Sequence, residues 1–204
     1  MINGISNNSI TFSSRRLAEV FLRKQDGTPV KAFFTELEKK SKEDKNILST
    51  LKKKWKFPDD ISIPLKLFSQ KIYAIELPDN RKPLADRIVT LAGISKDEEK
   101  SNIFVEALIT KPEYQFGKRR GLEGCGRVMM GMLTKITKKL GLDEISLDGV
   151  DDSKKFYEER LKMHNRIDSE GETIYYLKGK GKDRAIKEIE AEFKLGKINL
   201  DDII

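Results

Sequence analysis

Cysteine and histidine are almost missing from this 204-residue chain, with Cys125 and His164 as single occurrences. A lone thiol excludes an internal disulfide framework and makes a reducing, cytoplasmic setting the expectation. One Cys and one His exclude an ordinary structural zinc site, so no metal is expected, and a Ser-His-Asp triad would rest on His164 alone. Long apolar runs are missing too. No stretch reaches the roughly 18 to 20 residues that a membrane-spanning helix needs, so no span is expected. Met1 to Ser14 is polar and lacks the basic and apolar regions of a secretory signal. Its Ser/Asn-rich composition leaves export as a bacterial effector open as the alternative location. No internal repeat and no low-complexity linker interrupts the chain.

What is abundant is charge. Hydrophobic residues make up 38% of the chain and charged residues 36%, with a formal net charge of +7. This describes a single soluble domain over residues 1–204 with a heavily solvated surface. The positive balance favours an anionic partner: a polyphosphate ligand, a nucleic acid or an acidic membrane face.

The apolar pattern divides the chain. Residues 9–13 alternate weakly and predict a short strand. Leu17, Val20, Phe21 and Leu22 predict a helix over Arg15 to Lys24, stopped by Asp26-Gly27. A second helical stretch, Val30 to Trp55, carries Phe33, Phe34, Leu37, Ile47, Leu48 and Leu51, in two pieces around the charged run Lys39 to Lys45. Residues 1–60 therefore read as a helical N-terminal part. Its basic end, Lys52 to Lys56, reads as a solvated helix face with Trp55 packed inward rather than as a nucleic-acid contact.

The middle changes character. Lys71 to Leu77, Arg87 to Ile94 and Asn102 to Thr110 are rich in Ile, Val, Leu and Tyr and predict an antiparallel meander. A helix follows from Arg127 to Leu140, with Val128, Met129, Met132, Leu133, Ile136 and Leu140 on one face and Gly141 as its left-handed cap. A strand Glu144 to Leu147, a helix Ser153 to about Leu161, a strand Glu172 to Lys178 and a closing helix Lys182 to Leu195 complete the order. The expected fold is a mixed, largely antiparallel sheet flanked by helices, of α+β or α/β class.

Chemistry concentrates in Lys118 to Arg127, which follows a strand and opens a helix. Glycines there let backbone N–H groups converge on one point. The unpaired N–H groups of the helix's first turn, and its dipole, suit a pyrophosphate. The spacing is neither that of a nucleotide P-loop nor Gly-x-Gly-x-x-Gly, because Met129 stands at the third glycine position. From the loop alone, a phosphate cradle and a Gly-rich basic surface turn are equally good readings.

The flanks distinguish them. Upstream, Leu108 to Tyr114 reads Leu-Ile-Thr-Lys-Pro-Glu-Tyr; downstream, Asp151-Asp152-Ser153-Lys154-Lys155-Phe156-Tyr157 opens the helix after the next strand. With Gly124-Cys125-Gly126 between them, these elements resemble the GNAT superfamily of N-acetyltransferases over about residues 72–177. The departures are Gly121 where the family places Arg or Gln, with Arg120 offset by one; a longer segment between Tyr114 and Gly124; and Asp151 in place of Asn.

The resemblance implies an acyl-CoA N-acyltransferase fold with a C-terminal helix, and direct transfer of an acetyl group from acetyl-CoA to an amine in a ternary complex. It implies that the backbone of Gly124, Cys125, Gly126 and Arg127 holds the pyrophosphate, helped by Arg119, Arg120 and Gly121. Leu108, Ile109 and Thr110 would offer backbone groups to the thioester and pantetheine, and Asp151 and Ser153 would contact the pantetheine. Glu106 takes the family's general-base position and Tyr157 that of the acid protonating the CoA thiolate. Cys125 lies in the phosphate loop and reads as a small loop residue rather than an acyl carrier, and His164 reads as a surface residue in a polar turn. The acceptor, a small molecule, a protein or an aminoacyl-tRNA, is expected against residues 15–60 and 163–172. A non-catalytic CoA-binding or nucleic-acid-binding module remains the alternative.

Overall fold

The computed structural model describes residues 14–38, 41–115, 121–149, 153–199 and 201. The strand expected at 9–13 and the site residues Arg119, Arg120 and Asp151 lie outside the described residues. The strands are β1 (Arg15–Lys24), β2 (Pro29–Leu37), β3 (Lys71–Glu76), β4 (Ile88–Asp97), β5 (Asn102–Thr110), β6 (Leu122–Glu123), β7 (Glu144–Asp148), β8 (His164–Ile167) and β9 (Thr173–Lys178). The helices are α1 (Lys42–Trp55), α2 (Asp59–Ile63), α3 (Leu84–Arg87), α4 (Cys125–Lys139) and α5 (Lys180–Glu192). Among the described residues, one 9-stranded sheet runs β6-β1-β2-β3-β4-β5-β7-β9-β8. Every neighbouring pair is antiparallel except β5 and β7.

The helix expected over Arg15 to Lys24 is a strand, and the helical stretch expected from Val30 begins as one. The reason is local. A register shift between Arg16 and Ala18 places an extra residue in β1. Leu17 and Val20, three apart, are therefore both buried, with Leu22 following at strand spacing. A bulge has imitated the first step of a helical period. In β2, Phe34, Thr35 and Leu37 are all buried. A strand covered on both faces loses its alternation and reads as a continuous apolar run.

The two faces carry separate cores. Val128, Met129, Met132, Leu133 and Ile136 of α4 pack on one face with Ile189 of α5. The other face holds Leu48, Leu51 and Trp55 of α1 with Leu84 and Ala85 of α3. Lys52 and Lys54 pair with Asp59 and Asp86, and Trp55 is buried, so this basic segment is the solvated helix face expected of it. A π-helical turn, Pro64–Phe68, continues α2. It seats on β4 where Gly93 has no side chain: a Cβ there would fall 2.0 Å from Ser69 Oγ.

α4 ends as expected. Gly141 has φ 70°, its N–H donates to Lys138 O, and the Leu142 N–H reaches back to Thr137 O at 3.0 Å. This is a Schellman cap. After α5 the chain lies extended on the same side, burying Phe193, Leu195 and Ile198, with the Phe21 N–H donating to Lys194 O. His164 is exposed, as expected, but on the edge strand β8 rather than in a turn. All four residues of β8 are exposed, so no alternation marks it in the sequence.

Candidate functional site

The site begins with a ladder that stops early. β5 and β7 pair only through Asn102↔Glu144, Ile103↔Ile145 and Phe104↔Ser146. Among the described residues, neither strand has a partner on that side beyond Phe104 and Ser146. The edge of β5 from Glu106 through Leu108, Ile109 and Thr110 therefore turns its alternate backbone groups into a gap. Unpaired main-chain groups along a strand edge are hydrogen-bonding sites for an extended ligand.

Glu106 stands at a break in register. Gly93 pairs with Ala107 while Ile94 pairs with Val105, so Glu106 is the extra residue of a β-bulge. Bulges bend a strand and re-aim the side chain they carry. Ser95, on the same face as Gly93, donates from Oγ to Glu106 Oε1 at 2.5 Å.

The far end of the gap is the start of α4. Its first helical hydrogen bond is from the Val128 N–H to Gly124 O at 2.8 Å, and among the described residues no side chain caps the helix. The N–H groups of the first turn are thus presented without a helical acceptor. Thr110 lies beside them: a Cβ on Gly126 would meet Phe156 Cζ at 3.0 Å and Thr110 Oγ1 at 3.5 Å.

The glycines have structural reasons of their own. Gly124 has φ +86° and a Cβ there would lie 2.2 Å from the Phe193 ring; Gly121 has φ +89° and faces the Tyr114 ring at 2.5 Å. Gly124→Ala is therefore expected to destabilise the fold by about 2 kcal/mol or more, from left-handed strain and overpacking together. Chemical denaturation of the variant measures this.

Arg127 is turned away from the helix start. Its NH1 pairs with Glu192 at 2.7 Å, with the side chain only 11% exposed, and its guanidinium lies 5.3 Å from the Phe193 ring centre. It ties α4 to α5, so what it offers the gap is its backbone N–H. Cys125 is 2% exposed, and burial pushes its thiol pKa up to about 12, although Thr90 pulls the other way. Only the thiolate is nucleophilic, so Cys125 is expected to resist maleimide in the native state and to react fully in denaturant, as mass spectrometry would show.

Tyr157 comes from the turn Phe156–Arg160. Its ring is 6% exposed and packs against Tyr175 at 5.0 Å and Phe156 at 5.3 Å between centroids. Burial pushes the phenol up to about 12, opposed by a hydrogen bond from Ser153. The ring belongs to the core with α4, while Glu106 and Ser95 lie on the opposite face of the sheet. Tyr157 and Glu106 thus lie on opposite faces of the sheet, and Phe156, next to Tyr157 in the chain, meets Gly126 and Thr110 at the start of α4.

Two residues at the gap escaped the sequence reading. Ser95 falls just past the expected end of its strand at Ile94. Asp148 falls just past the strand expected to stop at Leu147, and is the last residue of β7. Its carboxyl, though at an exposed position, is raised in pKa, first by partial desolvation and then by the charges of Asp168, Glu106, Glu172 and Glu170. The visible signal was the continued alternation Ile145, Ser146, Leu147, Asp148, with Ile145 and Leu147 buried in the core.

No model of a known protein family matches the chain, and no curated protein sequence does. Solved structures do. The catalytic domain of a Tetrahymena histone acetyltransferase in complex with coenzyme A aligns with TM-score 0.51 and 12% identity over 72% of this chain and 92% of that one. A protein from Desulfovibrio desulfuricans described as an acetyltransferase of the GNAT family aligns with TM-score 0.53 and 11% identity, over 72% of this chain and 98% of that one.

Proposed function

Because the chain has the fold of the GNAT acetyltransferases, we propose that it is an N-acetyltransferase, moving an acetyl group from acetyl-CoA to an amine by direct attack. The observation that carries this reading is the gap between β5 and β7, ending at the uncapped start of α4. An extended pantetheine arm fits an unpaired strand edge, and a pyrophosphate fits a helix N-terminus.

The chain's own groups then divide the work. First-turn N–H groups from Gly124 to Arg127 hold the pyrophosphate, and backbone groups of Leu108 to Thr110 hold the pantetheine and the thioester oxygen. Removing a donor of the last kind typically costs about 2.7–4 kcal/mol of transition-state stabilisation. An alkyl amine has a pKa near 10 and arrives protonated; Glu106, presented by its bulge, meets that ammonium. Tyr157, on the opposite side, gives a proton to the departing sulfur, and Ser153 positions its hydroxyl.

The continuous sheet supports reading the chain as one domain, and the single buried thiol supports a reducing, cytoplasmic setting. Ion pairing of Lys52 and Lys54 weighs against a nucleic-acid module at that helix. The test is incubation of purified protein with acetyl-CoA and a panel of primary amines, followed by CoA thiol release and product mass. Acetylated amine in equal amount to released CoA supports the proposal. A protein that binds CoA yet acetylates nothing would be a binding module.

A further inference from the structure

We infer that the proton of the attacking ammonium passes to Asp148, while Glu106 anchors that ammonium. This rests on the acetyl-transfer reading and assigns a catalytic residue on the second strand of the gap.

The placement comes from the ladder. The last β5–β7 pair is Phe104↔Ser146, and Glu106 and Asp148 are each two residues further along. Ile145 and Leu147 point into the α4-side core, so Ser146 and Asp148 point to the other face. Asn102 shares that face, donating from Nδ2 to Ser146 Oγ at 2.8 Å. Glu106 is brought to it by the bulge and by Ser95. The two carboxylates therefore flank the mouth of the gap from opposite strands, where an amine must enter.

Their environments differ. Glu106 accepts the Ser95 hydroxyl at 2.5 Å, which fixes the direction of its carboxylate. Asp148 faces Glu106 on β5 and Asp168, Glu170 and Glu172 on the β8–β9 turn, and these charges together with partial desolvation raise its proton affinity. Asp168 accepts the backbone N–H groups of Glu170 and Glu172 at 2.9 Å each, which fixes it in this turn. Two carboxylates in different environments take separate roles. A carboxylate whose proton affinity is raised is the better base at neutral pH.

The step balances. The ammonium gives one proton to the Asp148 carboxylate and becomes a neutral amine. Its nitrogen lone pair forms the N–C bond to the acetyl carbon, the C–S bond breaks, and that electron pair leaves on sulfur. Sulfur takes the phenolic proton of Tyr157, and the nitrogen's surplus proton restores the phenol. Asp148 then releases its proton to water.

The experiment compares wild type, Asp148→Asn, Glu106→Gln and Ser95→Ala with acetyl-CoA and three amines: benzylamine, glycinamide and a lysine-containing peptide. Asp148→Asn is expected to bind CoA like wild type and to lose about 100-fold or more in kcat/KM at neutral pH. That deficit should shrink steadily as the pH approaches the amine's own pKa, which a merely structural defect would not do. Glu106→Gln should raise the KM for the amine more than it lowers kcat. Ser95→Ala should raise the KM for the amine in the same direction as Glu106→Gln and by less. Carboxyl NMR titration of the wild type should show Asp148 protonating above the ordinary carboxylate range. The inference is overturned if Asp148→Asn transfers acetyl within about threefold of wild type, or if Asp148 protonates within the ordinary carboxylate range. If wild type acetylates none of the three amines, the acetyl-transfer reading fails, and the Asp148 titration still decides whether its neighbours raise its proton affinity as stated.

Discussion

Tyr157→Phe should slow acetyl transfer by roughly 100-fold or more while CoA binds with nearly unchanged affinity. In the proposed mechanism the phenol protonates the CoA thiolate, and phenylalanine cannot do so. The ring contacts survive the change, because the stacking on Tyr175 and Phe156 uses the ring and not the hydroxyl. What is lost structurally is an acceptor for Ser153, a penalty of about 0.5–1.5 kcal/mol. Thermal denaturation beside steady-state kinetics separates the two effects. A variant that transfers at the wild-type rate would mean that sulfur takes its proton from water.

The raised phenol also sets a pH window. Its ordinary pKa is about 10, and burial pushes it up to about 12 in the folded chain. The unfolded chain therefore loses this proton first. Tyr157's contribution to stability is complete below about pH 10 and declines as pH rises towards about 12. Through that lower range the phenol remains a proton donor, so an alkaline fall in rate near neutral pH must have another source.

Gly126→Glu should abolish CoA binding. A carboxylate at the first turn of α4 would occupy the partial positive charge that a pyrophosphate needs and repel the phosphates themselves. Gly126 is the appropriate place for the test because its Cβ direction meets the far edge of the Phe156 ring at 3.0 Å and the Thr110 hydroxyl at 3.5 Å. A small shift of those side chains accommodates the change. The same substitution at Gly124 would collide with the Phe193 ring and force a left-handed backbone on a side chain, so lost binding there would also report damaged packing. Circular dichroism and thermal midpoint near wild type, with no calorimetric binding, is the expected pair of results for Gly126→Glu. Retained binding would move the phosphate site away from α4.

The core of the fold was legible because its signals were local. β3, β4 and β5 carry dense Ile, Val and Leu between polar turns, and α4 carries one apolar face with a glycine cap. The N-terminal strands were not, since the bulge near Arg16 spaces Leu17 and Val20 like a helix and β2 is covered on both faces. β8 has no buried side to reveal it. At the site, Glu106, Gly124 to Arg127 and Tyr157 were legible in the sequence in order, and their assignment to one CoA gap is the proposal. It could not show the bulge at Glu106, because register is a property of two strands. Nor could it show that Arg127 is engaged by Glu192, 65 residues later in the chain, or that Asp148 stands across from Glu106. Those facts depend on tertiary packing.

The central claim is that the gap between β5 and β7, with the start of α4, is a coenzyme A site. Isothermal titration of CoA into the purified chain tests it most directly. Saturable binding of one CoA per chain is the expected result, in the range of about 1 μM to 1 mM common for enzyme substrates, and lost in Gly126→Glu. An absence of binding to wild type at millimolar CoA would contradict it.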